Sequence, residues 1–155
     1  MSTKVETIKV FAQVGFDRLG RATKDLKKDH LDWKSVPEAN NVRWVLTHMS
    51  QELNIYIPRI IKGDPNYNPN GWPQDYIGNT SYSIEKIMED LEKGKSDLMA
   101  GLDKLKDTDL DVEIEMWGSK RKKGQALIGM VSEMIHHEGQ ISAILGLNKR
   151  MEQHK

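Results

Sequence analysis

Hydrophobic residues recur at helical spacing in four long segments of the chain. The segments run from about Thr3 to Lys28, Asn41 to Ile61, Ser83 to Lys106 and Gln125 to Lys149. Side chains three, four and seven residues apart share one face of a helix. The third segment has the clearest stripe, which comprises Ile84, Ile87, Met88, Leu91, Leu98, Leu102 and Leu105. Each segment is therefore predicted to be an amphipathic helix that buries one face in a common core.

The segments between these helices carry other patterns. Pro58 lies near the end of the second helix and should bend or break it there. Residues 63–81 are rich in Asn, Pro, Gly and Tyr and predict a long ordered loop, a feature that is often functional. Val112, Ile114 and Met116 alternate with acidic residues, which predicts a short strand or β-hairpin before the last helix. The pattern as a whole predicts an all-α fold, a four-helix bundle with long loops that forms one domain over residues 1–155.

Composition narrows the class of protein further. A chain of 155 residues suffices for one compact domain. It has 23 basic and 23 acidic residues. Nucleic-acid-binding proteins usually show a basic excess, so the short basic run at residues 120–123 is interpreted as a solvated loop and no nucleic-acid partner is expected. The lack of cysteine fits a reducing compartment and excludes a cysteine nucleophile in this chain. With no signal peptide and no apolar run of about 20 residues, we expect a cytoplasmic protein without a membrane partner.

Polar residues interrupt the apolar face of the fourth helix. Glu133 and His137 lie four residues apart, between Met130 and Ile141 on the same face. Side chains at this spacing have Cβ atoms about 5–6 Å apart, a separation that suits two ligands of one metal ion. Removing a carboxylate from water costs several kcal/mol unless the charge is paired. A divalent ion would account for both residues at once.

The second helix supplies a third candidate ligand, His48, which also lies in an apolar neighbourhood. Because the inward faces of a bundle meet, His48, Glu133 and His137 together predict a metal site with three protein ligands, as catalytic zinc commonly has. The alternative is a hydrogen-bonded core histidine beside a helical ion pair, with no metal. Spacing alone leaves both interpretations open.

Four further residues are candidates for supporting roles around this site. Trp44, one turn before His48, is a candidate to line a pocket, and Glu52, one turn after it, is a candidate general base. Gln140 is a candidate to contact a ligand or a metal-bound water. Gly139 lies inside the last helix, where glycine costs about 1 kcal/mol relative to alanine, so it predicts the close approach of another helix.

Two stretches, "NNVRWVLTHMSQELNIYI" and "EMIHHEGQISAILGL", resemble the DinB-like superfamily of metal-binding four-helix bundles. In that family, an aromatic or apolar run ends in a ligand histidine, which corresponds to Trp44 through His48. The last-helix motif is typically His-x-x-x-His, one variable residue and Gly-Gln, and here it begins with Glu133. The resemblance implies that His48, Glu133 and His137 are the metal ligands. The mycothiol-dependent maleylpyruvate isomerases of the superfamily are similar to this chain in using glutamate at the first position.

The resemblance also implies an activity. The superfamily includes bacillithiol- and mycothiol-dependent S-transferases, so the chain is expected to transfer a low-molecular-weight thiol cosubstrate to an electrophilic small molecule. Its cofactor would be a divalent metal, with zinc first and nickel or iron as alternatives. Metal-dependent hydrolysis is the alternative enzyme function, and a stress-response bundle with a structural metal or none is the non-enzymatic alternative. Relatives are often dimers, which implies a homodimer, although no exposed apolar stripe in the sequence requires one.

Overall fold

The computed structural model describes residues 3–154 and has an all-α architecture with one small hairpin. The helices are α1 (Lys4–Thr23), α2 (Lys28–Leu31), α3 (Val42–Gln51), α4 (Ile57–Lys62), α5 (Ile84–Asp103) and α6 (Lys123–Gln153). A π-helical turn at Glu52–Tyr56 joins α3 to α4, and a 3-10 helix at Asp107–Asp111 precedes the hairpin. The hairpin pairs β1 (Glu113–Met116) with β2 (Ser119–Lys122) in antiparallel register. The predicted helical bundle with a short hairpin before the last helix is confirmed.

The bundle consists of four long helices: α1, the continuous helix α3–α4, α5 and α6. α6 packs against α1 and α3–α4, and α5 packs against α3–α4 and α1. Helices α1 and α3 therefore stand at opposite corners, as do α5 and α6, and the connections at residues 24–41 and 104–122 cross the ends of the bundle. Fully buried side chains fill the centre, among them Val45, Leu46, Leu53, Ile57, Leu102 and Leu127. Within residues 3–154, no helix is both long enough and apolar enough to cross a membrane.

The first helix is shorter than its sequence pattern predicts. It ends at Thr23 and not near Lys28, so the predicted extent is wrong. The Thr23 hydroxyl donates to the Leu19 carbonyl at 2.9 Å, and the Leu26 amide donates to the Thr23 carbonyl at 3.0 Å in a turn. Threonine hydroxyls that bond to nearby carbonyls compete with regular helix bonding. Leu26 still packs against the core, which explains why its spacing suggested a longer helix.

The second helix changes its hydrogen-bond pattern directly before Pro58. Proline has no backbone N–H, so the carbonyl four residues earlier loses its usual α-helical partner. The chain passes this point through the π-helical turn, in which the Ile57 amide donates to the Glu52 carbonyl. The helix then continues through α4 to Gly63, whose φ of 69° ends it. Pro58 therefore alters the helix without breaking it.

The long segment between α4 and α5 is ordered by aromatic side chains. Tyr76 is only 1% exposed, and its ring lies 4.8 Å from the Trp72 ring and 4.9 Å from the Tyr82 ring. The Gly78 amide donates to the Thr47 hydroxyl on α3 at 2.9 Å. These contacts hold the segment against α3 and α5, as the sequence predicts for an ordered loop.

An ion pair between the buried Arg43 and the half-exposed Asp32 anchors the start of α3. Arg43 Nε lies 2.6 Å from Asp32 Oδ1, and Arg43 Nη2 lies 2.8 Å from Asp32 Oδ2. The hydrogen bond from Arg43 lowers the pKa of the Asp32 carboxyl below its ordinary value. Since Arg43 is 4% exposed, its guanidinium depends on this partner.

Asp32→Asn is expected to lower the free energy of unfolding at pH 7 by about 1 kcal/mol, a modest loss because solvent screens the half-exposed carboxylate. A carboxylate with a depressed folded-state pKa stabilises the protein above its unfolded-state pKa, about 3.9 for Asp. That stability is lost as the pH falls through the folded-state pKa. Urea unfolding of both proteins at pH 7 and pH 3 should therefore show a difference that shrinks in acid. Asp29→Asn, on the exposed face of α2, is the control; a loss of equal size at both pH values would contradict the prediction.

Candidate metal centre

Two histidine–glutamate pairs with the same four-residue spacing face each other inside the bundle. His48 on α3 and Glu52 at the start of the π-helical turn form one pair, and Glu133 and His137 on α6 form the other. Because residues four apart lie on one face of a helix, each pair projects as a unit. The packing of α3–α4 on α6 brings the two units together.

Three of these side chains form a compact set of possible ligands. One donor atom each from His48, Glu52 and His137 lies within 4.8 Å of the others. His48 Nε2 is 3.4 Å from Glu52 Oε1, and His137 Nε2 is 3.7 Å from Glu52 Oε2. The two imidazole rings meet edge to face, with centroids 4.9 Å apart. Imidazole nitrogen and carboxylate oxygen are the donors that zinc and other divalent transition metals bind in proteins.

The cluster leaves polar atoms without hydrogen-bond partners. His48 Nδ1, Glu52 Oε2 and His137 Nε2 are all buried and unpartnered in the described structure. Buried polar atoms are almost always hydrogen-bonded, so three exceptions in one cluster require an explanation. A bound cation would satisfy Glu52 Oε2 and His137 Nε2 at once. The donor set and the unpartnered atoms therefore fit a divalent metal ion.

Glu52 and His137 shift each other's pKa within the cluster. Burial raises the pKa of Glu52, but contacts with His137 and His48 lower it by more, so the net pKa lies below its ordinary value. Burial lowers the pKa of His137, but the Glu52 carboxylate and the Gln140 side chain raise it above its ordinary value. Because a ligand histidine must be neutral, a raised pKa of His137 means that protons compete with a metal up to a higher pH than at an ordinary histidine.

A hydrogen bond fixes the orientation of His137. Its Nδ1 lies 2.9 Å from Gln140 Oε1, so in the tautomer with Nδ1–H the opposite nitrogen, Nε2, faces Glu52 with its lone pair. Gln140 Nε2 in turn lies 3.1 Å from His136 Nε2, which sets the orientation of the amide. Contacts of this kind hold ligand histidines in place around metals. Gln140 thus contacts His137, one of the candidate ligands.

Trp44 covers the other histidine. Its ring stacks on the His48 ring with centroids 5.0 Å apart and planes inclined by 22°. Gly78 lies against the indole near its attachment to Cβ, where a Cβ on residue 78 would come 3.1 Å from Trp44 Cδ1, and its φ is 71°. Glycine at position 78 therefore allows the long loop to lie against Trp44.

Glu133 lies at the edge of the cluster. Its Oε2 is 3.8 Å from His137 Nε2, almost the distance of the Glu52 carboxylate, but its side chain is 46% exposed whereas Glu52 is 6% exposed. His48, at 26%, is the other partly open member. Solvent therefore reaches the cluster from the side of Glu133 and His48.

The sequence identifies His48 and His137 as neighbours, and the structure brings them together. It does not identify Glu52 as a third donor, although the His48–Glu52 spacing repeats that of Glu133 and His137. The prediction for Gly139 is wrong, because a Cβ there would meet nothing within 4 Å among the described residues.

Fold and cluster together define a class of protein, a four-helix bundle with a histidine–glutamate site able to hold a metal between two of its helices. The family model of the DinB superfamily matches residues 13–141, and the chain belongs to that superfamily. No curated protein matches the chain. The family resemblance expected from the two sequence motifs is confirmed.

Proposed function

We propose that this DinB-superfamily protein is a metal-dependent enzyme that transfers a low-molecular-weight thiol to an electrophilic small molecule. The observation that carries the proposal is the group of buried, unpartnered donor atoms on His48, Glu52 and His137. The partly exposed side chains of His48 and Glu133 lie on one side of this group. A purely structural metal site would be closed by protein ligands, whereas an open side admits a substrate.

We further propose that His48, Glu52 and His137 hold the ion and that Glu133 stands at the open edge. Zinc is the first candidate, and nickel or iron also suit two nitrogens and a carboxylate. Bound there, the metal would act as a Lewis acid that lowers the pKa of a thiol. The sequence-based prediction that Glu133 is itself a ligand remains the competing assignment, since both carboxylates lie at nearly equal distances from His137 Nε2.

In this proposal the residues of the chain hold the reactants and accept a proton. Glu133 is half-exposed beside the entrance and accepts the proton that leaves the thiol sulfur. The sulfur then forms a bond to the electrophilic carbon, and the displaced group departs with its electron pair. Trp44 restrains His48 by stacking, and Gln140 restrains His137 by its hydrogen bond. Since the chain has no cysteine, the sulfur must come from the cosubstrate.

Hydrolysis is the second candidate function, and the same exposed carboxylate favours it. Glu133 could also accept a proton from a water molecule whose pKa a bound metal lowers. Glu52, the base suggested by the sequence, is less available for this role because it is buried between two imidazoles. The two reactions are distinguished by whether product formation requires thiol.

The surroundings of the basic run support a small-molecule substrate over a nucleic acid. On the hairpin, Lys122 and Lys120 stand opposite Glu113 and Glu115. Lys123 donates to the Ile61 carbonyl at 3.0 Å. Two of the four cations in the run therefore stand opposite carboxylates of the hairpin, which supports a small-molecule substrate.

The test measures metal content by mass spectrometry on untagged protein purified without chelator. Wild type is expected to carry near-stoichiometric metal, and His48→Ala and Glu52→Gln are expected to lose it. His154→Ala and Glu113→Gln, both exposed and remote, are the matched controls. Metal lost in Glu133→Gln but kept in Glu52→Gln would establish the ligand set expected from the sequence instead.

Activity is then measured with monochlorobimane as the electrophile and bacillithiol, mycothiol or coenzyme A as the thiol. We expect a conjugation rate above background with wild type that falls at least about tenfold in Glu133→Gln while its metal content is unchanged, a typical loss for removal of a proton-accepting group. Wild type without metal, even after addition of zinc, nickel and ferrous iron, would refute the proposal.

A further inference from the structure

A cavity lies away from the candidate metal centre, between the 63–83 segment and α5. Its volume is about 390 Å³, and it opens to solvent. Rings of Trp72, Tyr76 and Tyr82 contribute to its wall, and Tyr76 packs between the other two at inclinations of 58° and 56°. A cavity of this size with aromatic walls is typical of a site for a small organic molecule.

The one carboxylate of the cavity already has its partners. Asp90 is 6% exposed, and its Oδ2 accepts the Tyr76 hydroxyl at 2.7 Å while its Oδ1 pairs with the Lys86 ammonium. Burial and the neighbouring Asp90 both raise the pKa of Tyr76, so this phenol stays protonated and remains a donor. A cationic ligand would find no free carboxylate here and would be repelled by Lys86.

Three side chains of the cavity lining, Trp72, Lys86 and Lys93, are hydrogen-bond donors without an acceptor atom of their own. The Trp72 indole N–H is buried and has no hydrogen-bond partner among the described residues, although indole nitrogens normally find one when buried. Lys86 and Lys93 line the cavity with side chains that are 49% and 64% exposed, and Lys93 also pairs with Asp97 at 2.5 Å. Lys86 has three N–H donors, of which the Asp90 contact uses one.

We propose that this cavity binds a small aromatic carboxylate. The ring of the ligand packs against Trp72, Tyr76 and Tyr82, and its carboxylate accepts the Trp72 indole N–H and faces the two lysines. The aromatic side chains favour a ligand with a flat apolar ring. The indole N–H and the two lysines favour a ligand with an anionic group. The site uses none of the residues of the candidate metal centre. The proposed ligand binding can therefore be tested independently of the proposed activity.

The probe is 2-naphthoate. Two control compounds are tested beside it: 2-naphthalenemethanol, which is aromatic but uncharged, and cyclohexanecarboxylate, which is charged but not aromatic. Isothermal titration calorimetry is expected to show binding of 2-naphthoate, and binding at least about tenfold weaker for both control compounds. Trp72→Phe keeps a ring but removes the N–H, so it should weaken 2-naphthoate binding about tenfold, as expected for a lost hydrogen bond to a charged group. Trp117→Phe, at the exposed hairpin tip, is the matched control and should bind as wild type does.

Two more variants locate the site. Lys93→Met removes one rim charge without freeing Asp90 and should also weaken binding, whereas His48→Ala should leave it unchanged. Circular dichroism melting confirms that each variant is folded. The proposal is overturned if 2-naphthoate does not bind wild type at millimolar concentration, if Trp72→Phe binds it equally well, or if His48→Ala abolishes binding.

Discussion

Gly94→Ala is expected to lower the free energy of unfolding by about 2 kcal/mol, although alanine is the better helix former. Gly94 lies in the middle of α5, where an added Cβ would come 2.5 Å from Leu53 Cβ and 2.9 Å from Asn54 Nδ2. Leu53 Cβ is attached directly to the π-helical turn and has no freedom to rotate away. The two helices must therefore separate, and overpacking of this kind costs about 1–3 kcal/mol, more than the propensity gained.

The same separation disturbs a buried hydrogen bond. Asn54 Nδ2 donates to the Asp90 carbonyl on α5 at 2.9 Å, and this bond joins the two helices at the point of contact. Thermal unfolding followed by circular dichroism should show a melting temperature about 4–8 °C below that of wild type.

The control for this prediction is Gly129→Ala, because Gly129 lies inside α6 and a Cβ there would meet nothing within 4 Å among residues 3–154. That variant should be more stable than wild type by about 0.5–1 kcal/mol, since only helix propensity changes. If both glycine variants shifted stability in the same direction, the close contact between α5 and the π-helical turn would be wrong.

Zinc added to metal-free protein is expected to raise the melting temperature by about 8–16 °C. The reason is the cluster of buried donor atoms without partners, which gains its missing interactions only when a cation binds. Free metal at 1,000 times its dissociation constant stabilises the folded state by about 4 kcal/mol. A protein of this size gains about 2–4 °C for each kcal/mol. Differential scanning calorimetry with and without zinc measures the shift.

Three comparisons make the result specific to the proposed site. Calcium prefers six to eight oxygen ligands, so it should cause little shift. His137→Ala should abolish the effect of zinc, and Gln140→Leu should weaken zinc binding about 10- to 100-fold because it removes the support of a ligand. Gln125→Leu, exposed on the same helix, is the control for Gln140→Leu. An equal shift in wild type and His137→Ala would mean that zinc binds elsewhere.

The hydrophobic pattern was sufficient to predict the fold, because each apolar stripe can be buried only against another. In α5, Ile87, Leu91, Leu98 and Leu102 are all nearly or fully buried, as the spacing predicts. The position of His48 and His137 follows from the same reasoning, since both interrupt an apolar face. Helix ends were less predictable, because apolar spacing continues past the end of α1 at Thr23 to Leu26, which packs against the core from a turn.

Details that depend on how helices are rotated about their axes could not be predicted. Sequence spacing identifies a carboxylate four residues from each histidine, but it does not tell which of Glu52 and Glu133 is the more deeply buried. The same uncertainty affects glycines. Gly139 suggested a close approach that does not occur, whereas the tight contact is at Gly94. Which glycine faces a neighbouring helix is a property of the assembled bundle and not of the segment.

The π-helical turn divides one helix into two halves with independent registers. Its i+5 hydrogen bonds accommodate one residue more than an α-helical turn does. Removal of a single residue between Leu53 and Tyr56 would restore an ordinary α-helix and rotate one half by about 100° relative to the other. His48 and Ile57 could then no longer both face the interior. The extra residue therefore allows one continuous helix to direct both His48, a candidate metal ligand, and the core side chain of Ile57 towards the interior.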